Sequence, residues 1–159
     1  MNESLIYESE HTTIEHSYGF RVPGYLFVQP KTSSTRFAEL SAAQGADLMA
    51  SIARAESIIT QLIQPERVYA LKLGEEDQRI HFHIIPRTAQ IEEAYLAAVS
   101  DKKPYSGARI VDWIWHNHLS LGYSEDDVSA FIQAARGFMN SSQSSTDSKQ
   151  QATKGGERS

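Results

Sequence analysis

The chain has 159 residues, a formal net charge of −5 and 40% hydrophobic residues, and it contains no cysteine. Its length and composition indicate one globular domain with a core of its own. The lack of cysteine excludes disulfides, thiolate zinc sites and a cysteine nucleophile. The acidic balance argues against a partner such as polymeric nucleic acid, which usually needs a concentrated basic face, whereas a small phosphorylated ligand needs only a local positive cluster.

Localisation follows from what the sequence lacks. The first residues, "MNESLIYESEH", do not combine a basic region with an apolar stretch and a cleavage site, so no secretory signal is predicted. No apolar run approaches the roughly 20 residues that cross a bilayer. We therefore expect a cytoplasmic protein that does not associate with membranes.

The first elements in chain order are short strands. Residues 5–7 and 14–17 lie on either side of a polar turn, and the segment "VPGYLFVQPK" places an apolar run, residues 25–28, between a Pro-Gly turn and a second proline. Prolines and glycines at both ends of a run rich in aromatic and branched residues are typical of a strand. These segments predict the start of an antiparallel sheet.

A long amphipathic helix is predicted over residues 42–63. Ser41 and Gln44 have the spacing of a capping box, apolar residues recur every three or four positions, and Pro65 ends the pattern. The segment "RVYALKL" then returns to strand composition, and the turn "GEEDQ" leads into "RIHFHIIPR". These two strands are predicted to form a hairpin.

The second half of the chain is predicted to be helical and then disordered. "GARIVDWIWHNHLSLGY" fits a short helix about as well as a strand, and we favour the helix. Ser124 and Asp127 begin a second amphipathic helix, which Gly137 is expected to close. Residues 140–159 contain one apolar residue, Ala152. We therefore predict a domain over residues 1–139 and a disordered tail over 140–159.

The segment "RIHFHIIPR" carries the most specific chemical signal. Successive side chains of a strand point to opposite faces, so Arg79, His81 and His83 are expected on one face, with Ile80, Phe82 and Ile84 on the other. Same-face neighbours lie about 7 Å apart. At that spacing the polar groups can converge on one small anion or one metal ion.

Taken together, "VPGYLFVQPK", the capped helix, "VYALKLG" and "IHFHIIPR" resemble the histidine triad superfamily over residues 5–87. The resemblance implies an α+β meander fold: an antiparallel sheet of about five strands, one long helix and one or two shorter ones. It also implies a homodimer that hydrolyses or transfers nucleotides at the α-phosphate through a nucleotidyl-histidine, without a cofactor. The nucleophile of that family is the middle histidine of a His-x-His-x-His run, which is His81 here.

The chain also departs from the family. Arg79 occupies the position of the first histidine, and a further family histidine falls near Ser33. Two of the four family histidines are therefore missing. This leaves a second hypothesis open, in which the protein binds nucleotides but does not turn them over.

The residue types suit phosphoryl transfer. A neutral imidazole such as His81 is a nucleophile near pH 7, and His83 can donate a hydrogen bond to a non-bridging oxygen or a proton to the leaving group. Arg79 can bind phosphate but cannot act as an acid or base. The alternative is that Arg79 turns outward at the end of the hairpin and pairs with Glu75 or Asp77. Lys72 and Arg87 are further candidate phosphate-binding residues.

The aromatic residues and the histidines are also open to other roles. Tyr25 and Phe27 are candidate nucleoside-binding residues, although strand aromatics are more often packed inside. His81 and His83 could be structural, or could bind zinc together with His116 and His118, but no pattern places the two pairs together. We therefore predict no metal. The sequence leaves the base, the leaving group and the pathway open.

Overall fold

A computed structural model describes the backbone of residues 3–154 and the side chains of residues 3–142. The described residues form five strands: β1 (Leu5–Glu8), β2 (Thr12–His16), β3 (Leu26–Pro30), β4 (Arg67–Leu71) and β5 (Phe82–Arg87). Four α-helices accompany them: α1 (Ala42–Ile63), α2 (Ala89–Ala98), α3 (Gly107–Asn117) and α4 (Glu125–Lys154). Short 3-10 turns cover Phe37–Glu39 and His118–Leu121.

The strands form one antiparallel sheet in the order β1-β2-β3-β5-β4. Each neighbouring pair is antiparallel, and the register places Glu15 opposite Phe27 and Phe27 opposite His83. Residues directly opposite each other share a face of the sheet. A row of side chains from β2, β3 and β5 therefore lies on the same face as His83.

Each face of the sheet carries its own hydrophobic core. Helices α1 and α4 pack on one face, with Ile14, Leu26 and Ile84 among the buried strand residues. Helices α2 and α3 pack on part of the other face, where Tyr25 and Ile85 are buried. His83 belongs to this second face, beside α3.

The long helix α1 begins and ends as its sequence predicts. The Ser41 side chain accepts a hydrogen bond from the Gln44 N–H, and the Gln44 side chain accepts one from the Ser41 N–H, so both halves of the capping box are present. After Ile63 the chain adopts a left-handed conformation at Gln64, immediately before Pro65. Local capping chemistry thus fixed both ends.

The α+β fold with a five-stranded antiparallel sheet, the hairpin of β4 and β5 and the helical segment α3 are confirmed. Helix α2 was not predicted. Helix α4 does not close at Gly137 but continues to Lys154, into the segment expected to be disordered. A helix forms its backbone hydrogen bonds internally and can continue without a core. The buried contacts described for α4 end at Met139.

Candidate active site

A chain of two hydrogen bonds fixes the ring of His83. The Tyr25 oxygen lies 2.7 Å from His83 Nδ1, and Trp115 Nε1 on α3 lies 2.9 Å from the same oxygen. An indole N–H can only donate, so the Tyr25 oxygen accepts from Trp115. Tyr25 is fully buried, and His83 Nδ1 is the acceptor that the described residues offer its hydroxyl proton, so the hydroxyl donates to Nδ1. His83 therefore carries its proton on Nε2.

The ring of His81 is held the opposite way round. His81 lies just before β5, and its Nδ1 is 2.9 Å from the carbonyl oxygen of Arg79. A carbonyl oxygen only accepts, so His81 Nδ1 carries the proton and Nε2 keeps its lone pair. The two imidazole centroids are 5.1 Å apart. The site thus places one imidazole lone pair beside one imidazole N–H.

The pKa of His83 favours a neutral ring near pH 7. Burial, and to a lesser degree the nearby His81, lower the pKa of His83 to about 4. Burial raises the pKa of Tyr25 well above its usual value, although the Trp115 hydrogen bond partly offsets this effect. The Tyr25 hydroxyl therefore remains a donor to His83 over the physiological range.

Aromatic rings surround the pair. Phe27 lies edge-on to His83 at 4.9 Å and to His81 at 6.0 Å between centroids, and it is half-buried. Tyr25 is fully buried and stacks on Phe20 at 4.8 Å. Of the two predicted nucleoside-binding residues, Phe27 is accessible beside the histidines, whereas Tyr25 supports His83 from behind.

Arg79 does not extend the strand face as expected. β5 begins at Phe82, and the Arg79 side chain turns to Asp77, with Nη2 2.6 Å and Nε 3.0 Å from the carboxylate oxygens. This contact lowers the pKa of Asp77 to about 2 and raises that of Arg79. Both side chains are largely exposed, at 60% for Arg79 and 42% for Asp77.

The other predicted phosphate-binding residues lie apart from the two histidines. Arg87 is buried at the far end of β5, where it pairs with Glu92 at 3.0 Å and lies over the Tyr105 ring. The Lys72 ammonium lies over the Phe37 ring, and Phe37 stacks on Phe82, whose side chain faces away from His83. The structure does not bring either cation to His81.

His116 and His118 do not join the strand pair either. His116 Nδ1 lies 2.8 Å from the Asp112 carbonyl, and His118 Nδ1 accepts a hydrogen bond from the Arg21 N–H. Among residues 3–142 there is no group of three or more His, Asp or Glu side chains placed to hold a metal ion. The zinc alternative, which required the two pairs to meet, therefore has no geometric support in this part of the chain.

Sequence reasoning missed two contributors to the site. Trp115 approaches Tyr25 from 90 residues away, and no local pattern announces that contact. Glu15 was unremarkable as a strand residue, yet its position opposite Phe27 places it on the face of the histidines. Glu15 could have been recognised because a charged residue is unusual within a strand that is otherwise buried, as β2 is.

Comparison with known proteins assigns the family. The model of the HIT domain matches residues 1–90, which is more than half of the chain. The protein belongs to the histidine triad (HIT) family, a superfamily of nucleotide-binding proteins and hydrolases. No curated protein matches the sequence.

No described helix is long and apolar enough to span a membrane.

Solved structures share the fold at low sequence identity. A HIT-like protein involved in cell-cycle regulation from Bartonella henselae, solved with an unknown ligand, aligns with a TM-score of 0.56 and 13% identity over 86% of this chain and 87% of that one. A histidine triad protein from Bradyrhizobium japonicum aligns at 0.56 and 19%, over 84% and 90%. A zinc-bound histidine triad family protein from Mycobacterium smegmatis aligns at 0.56 and 14%, over 89% and 86%.

Proposed function

We propose that the protein is a nucleotide hydrolase or nucleotidyl transferase that acts at the α-phosphate of a nucleoside phosphoramidate or a dinucleoside polyphosphate. The observation that carries this proposal is the pair of oppositely oriented imidazoles, with the Nε2 lone pair of His81 beside the Nε2–H of His83. Membership of the HIT family supports the substrate class.

In the first step the Nε2 lone pair of His81 attacks the α-phosphorus, and the bond from phosphorus to the leaving group breaks. A leaving phosphate takes the electron pair of that bond, and a leaving amine takes it together with a proton from solvent. The His81 ring becomes cationic as the new N–P bond forms. Its Nδ1–H already donates to the Arg79 carbonyl, a hydrogen bond that strengthens as the ring gains charge. Water, or the hydroxyl of an acceptor, then attacks the same phosphorus and loses its proton to solvent. The N–P bond breaks, which releases the nucleotide and restores the lone pair of His81.

Of the two roles open to His83, the geometry favours hydrogen-bond donation over proton transfer. A neutral imidazole N–H is a weak acid, and the low pKa of His83 keeps the ring neutral. Donation from Nε2–H to a non-bridging oxygen stabilises the negative charge of the transition state. Tyr25 and Trp115 maintain that donor.

A covalent nucleotide on His81 is the decisive test. Wild-type protein is mixed with a fluorogenic nucleoside phosphoramidate, quenched in alkali and digested, and the adduct is located by mass spectrometry. We expect the mass of a nucleotidyl group on the peptide that contains His81. An adduct on another residue would contradict the assignment of the nucleophile.

The second candidate function is nucleotide binding without turnover. Arg79 and Ser33 stand at two positions where the family has histidines, and both line the same cavity. Neither position supplies an imidazole, and this observation favours binding without turnover. Calorimetric binding of adenosine monophosphate without hydrolysis of the fluorogenic phosphoramidate would support this function.

We also propose that the protein forms a homodimer, as the family resemblance implies. β4 is an edge strand of the sheet, and an edge strand offers backbone groups for pairing with a second copy. Light scattering at micromolar concentration should give twice the chain mass. A monomer at that concentration would contradict the proposal.

A further inference from the structure

A cavity of about 380 Å³ lies next to Arg79 and Ile80, the two residues that precede His81, on the open part of the sheet face that carries the histidines. Its wall comes from β2, the end of β3 and the segment that precedes β5. The lining side chains used below are Thr13, Glu15, Lys31 and Arg79. Arg79 also links the cavity to the nucleophile, because its carbonyl oxygen holds His81 Nδ1.

The register relates this cavity to the catalytic pair. Glu15 lies opposite Phe27, and Phe27 lies opposite His83, so Glu15 is two strands from His83 on the same face. Strands are spaced about 4.8 Å apart, which places the two backbones about 10 Å from each other. A substrate whose α-phosphate meets the histidines can therefore extend over Phe27 to Glu15.

The charges of the cavity are not balanced. Its two cations have carboxylate partners: Lys31 is paired with Glu8, and Arg79 with Asp77. Glu15 is only 6% exposed, and within residues 3–142 its Oε2 has no hydrogen-bond partner. The same is true of Thr13 Oγ1 in that described region. Neighbouring same-face positions of β2 thus leave two polar atoms without partners: Glu15 Oε2, which accepts when the carboxyl is ionised, and the Thr13 hydroxyl, which can accept or donate.

Buried acceptors without donors are unfavourable in the empty protein. Such a group destabilises the folded protein, and more strongly if it is charged. A ligand that brings donors to this position recovers that free energy, whereas a ligand that brings a further phosphate adds negative charge beside a carboxyl group. The cavity is therefore suited to a donor and unsuited to an anion.

We propose that this cavity is a specificity subsite in which Glu15 accepts hydrogen bonds from an ammonium group or a pair of N–H donors of the substrate. This inference rests on the proposed function and narrows it, because it favours a nucleoside phosphoramidate over a dinucleoside polyphosphate. Two parts of a phosphoramidate can supply the donors. Guanine presents two adjacent N–H groups that match a carboxylate, and a leaving diamine presents an ammonium group at the nitrogen that is not bonded to phosphorus.

Four substrates distinguish these sources. The first pair consists of guanosine and adenosine 5′-phosphoramidates with the same neutral amine, since adenine places an acceptor next to its amino group. The second pair consists of adenosine phosphoramidates of a diamine and of a neutral amine of equal length. The kcat/KM of each is measured with wild-type protein, with E15Q and with the matched control E56Q, which changes an exposed carboxylate on α1.

The wild-type protein should prefer the donor-bearing member of one pair by about tenfold, the factor that one hydrogen bond to a charged acceptor supplies. E56Q should keep this preference and E15Q should lose it. Preference in the guanosine pair would place the base at Glu15, and preference in the diamine pair would place the leaving group there. Equal kcat/KM within both pairs for the wild-type protein would overturn the inference.

Failure of the proposed function gives a different result. If none of the four compounds is turned over, the hydrolase proposal is wrong, and the same compounds then serve as ligands for calorimetry. A tenfold difference in affinity within a pair, abolished in E15Q, would still support the subsite, and equal affinities would overturn it. The wild-type comparison decides the question even if E15Q does not fold.

Discussion

Replacing Tyr25 with Phe removes one oxygen atom and two hydrogen bonds. The ring and its packing on Phe20 are kept, but His83 Nδ1 loses its donor and Trp115 Nε1 loses its acceptor. The substitution therefore tests the tautomer of His83 while preserving the shape of the core. Tyr123→Phe is the matched control, because its hydroxyl makes one long contact of 3.5 Å to Thr88.

The effect on stability follows from the two groups left without partners. Each buried polar group that loses its partner costs about 1–3 kcal/mol. His83 and Trp115 are only half-buried, so water can reach them in part and the lower end of this range applies. We expect the free energy of unfolding of Tyr25→Phe to fall by about 2 kcal/mol, a drop in melting temperature of roughly 5 °C or more.

The effect on catalysis follows from the proton of His83. Without the Tyr25 hydroxyl, the neutral His83 ring can carry its proton on Nδ1 or on Nε2. In the molecules that carry it on Nδ1, Nε2 cannot donate a hydrogen bond to the non-bridging oxygen. That hydrogen bond is strongest in the transition state, so kcat should fall by about tenfold with little change in KM. Tyr123→Phe should keep the wild-type kcat.

Nitrogen-15 NMR of the imidazoles reads the tautomers directly. In the wild-type protein at pH 7, His83 should show a protonated Nε2 and an unprotonated Nδ1, and His81 the reverse. A wild-type His83 protonated at Nδ1 would refute the reasoning, whatever the kinetics. An unchanged kcat in a folded Tyr25→Phe variant would refute the catalytic role assigned to the hydroxyl.

Four further outcomes are expected. His81→Ala should abolish the nucleotidyl adduct in mass spectrometry while nucleotide affinity stays within about tenfold, because one modest hydrogen bond is worth about 1 kcal/mol. Arg79→Ala should weaken binding of a nucleoside monophosphate by about 1–3 kcal/mol in low-salt calorimetry, since leaving an exposed ion pair with Asp77 costs only about 0–1 kcal/mol; unchanged affinity would contradict the phosphate-binding role. A chain ending at Met139 should melt within about 2 °C of the full chain, because removal of residues without core contacts has small effects, and a large drop would show that the rest of α4 is needed. His83 should not titrate in NMR between pH 8 and 5, since its pKa is lowered to about 4. The ring of the unfolded chain binds a proton more readily than the ring of the folded protein. The neutral His83 ring therefore contributes fully to stability above about pH 6.5, and this contribution is lost as the pH falls through 4.

Sequence alone predicted what local chemistry determines. The capping box of Ser41 and Gln44 predicted the residue at which α1 begins, because the capping residues and the helix are neighbours in the chain. Helix α2 was missed although Thr88 caps it, accepting a hydrogen bond from the Ile91 N–H, because its ten residues have little amphipathic contrast. Helix α4 ran further than expected because polar composition excludes a core but does not forbid a helix.

The site was predicted in part for the same reason. Alternation placed His81 and His83 together, but the alternation was extended one step too far at Arg79, where Asp77 lies two residues earlier and captures the guanidinium. The role of Tyr25 could not be predicted, because it depends on Trp115 arriving from a distant helix. Contacts between residues far apart in sequence have no local signature.

The two imidazoles are held by independent supports, and this bears on the missing family histidines. The tautomer of His81 depends on a backbone carbonyl at position 79, which any side chain there would supply. The tautomer of His83 depends on Tyr25 and Trp115, neither of which is a histidine. The proposed nucleophile and the proposed donor are therefore both oriented without an imidazole at Arg79 or Ser33, so the loss of those two histidines does not by itself argue against turnover.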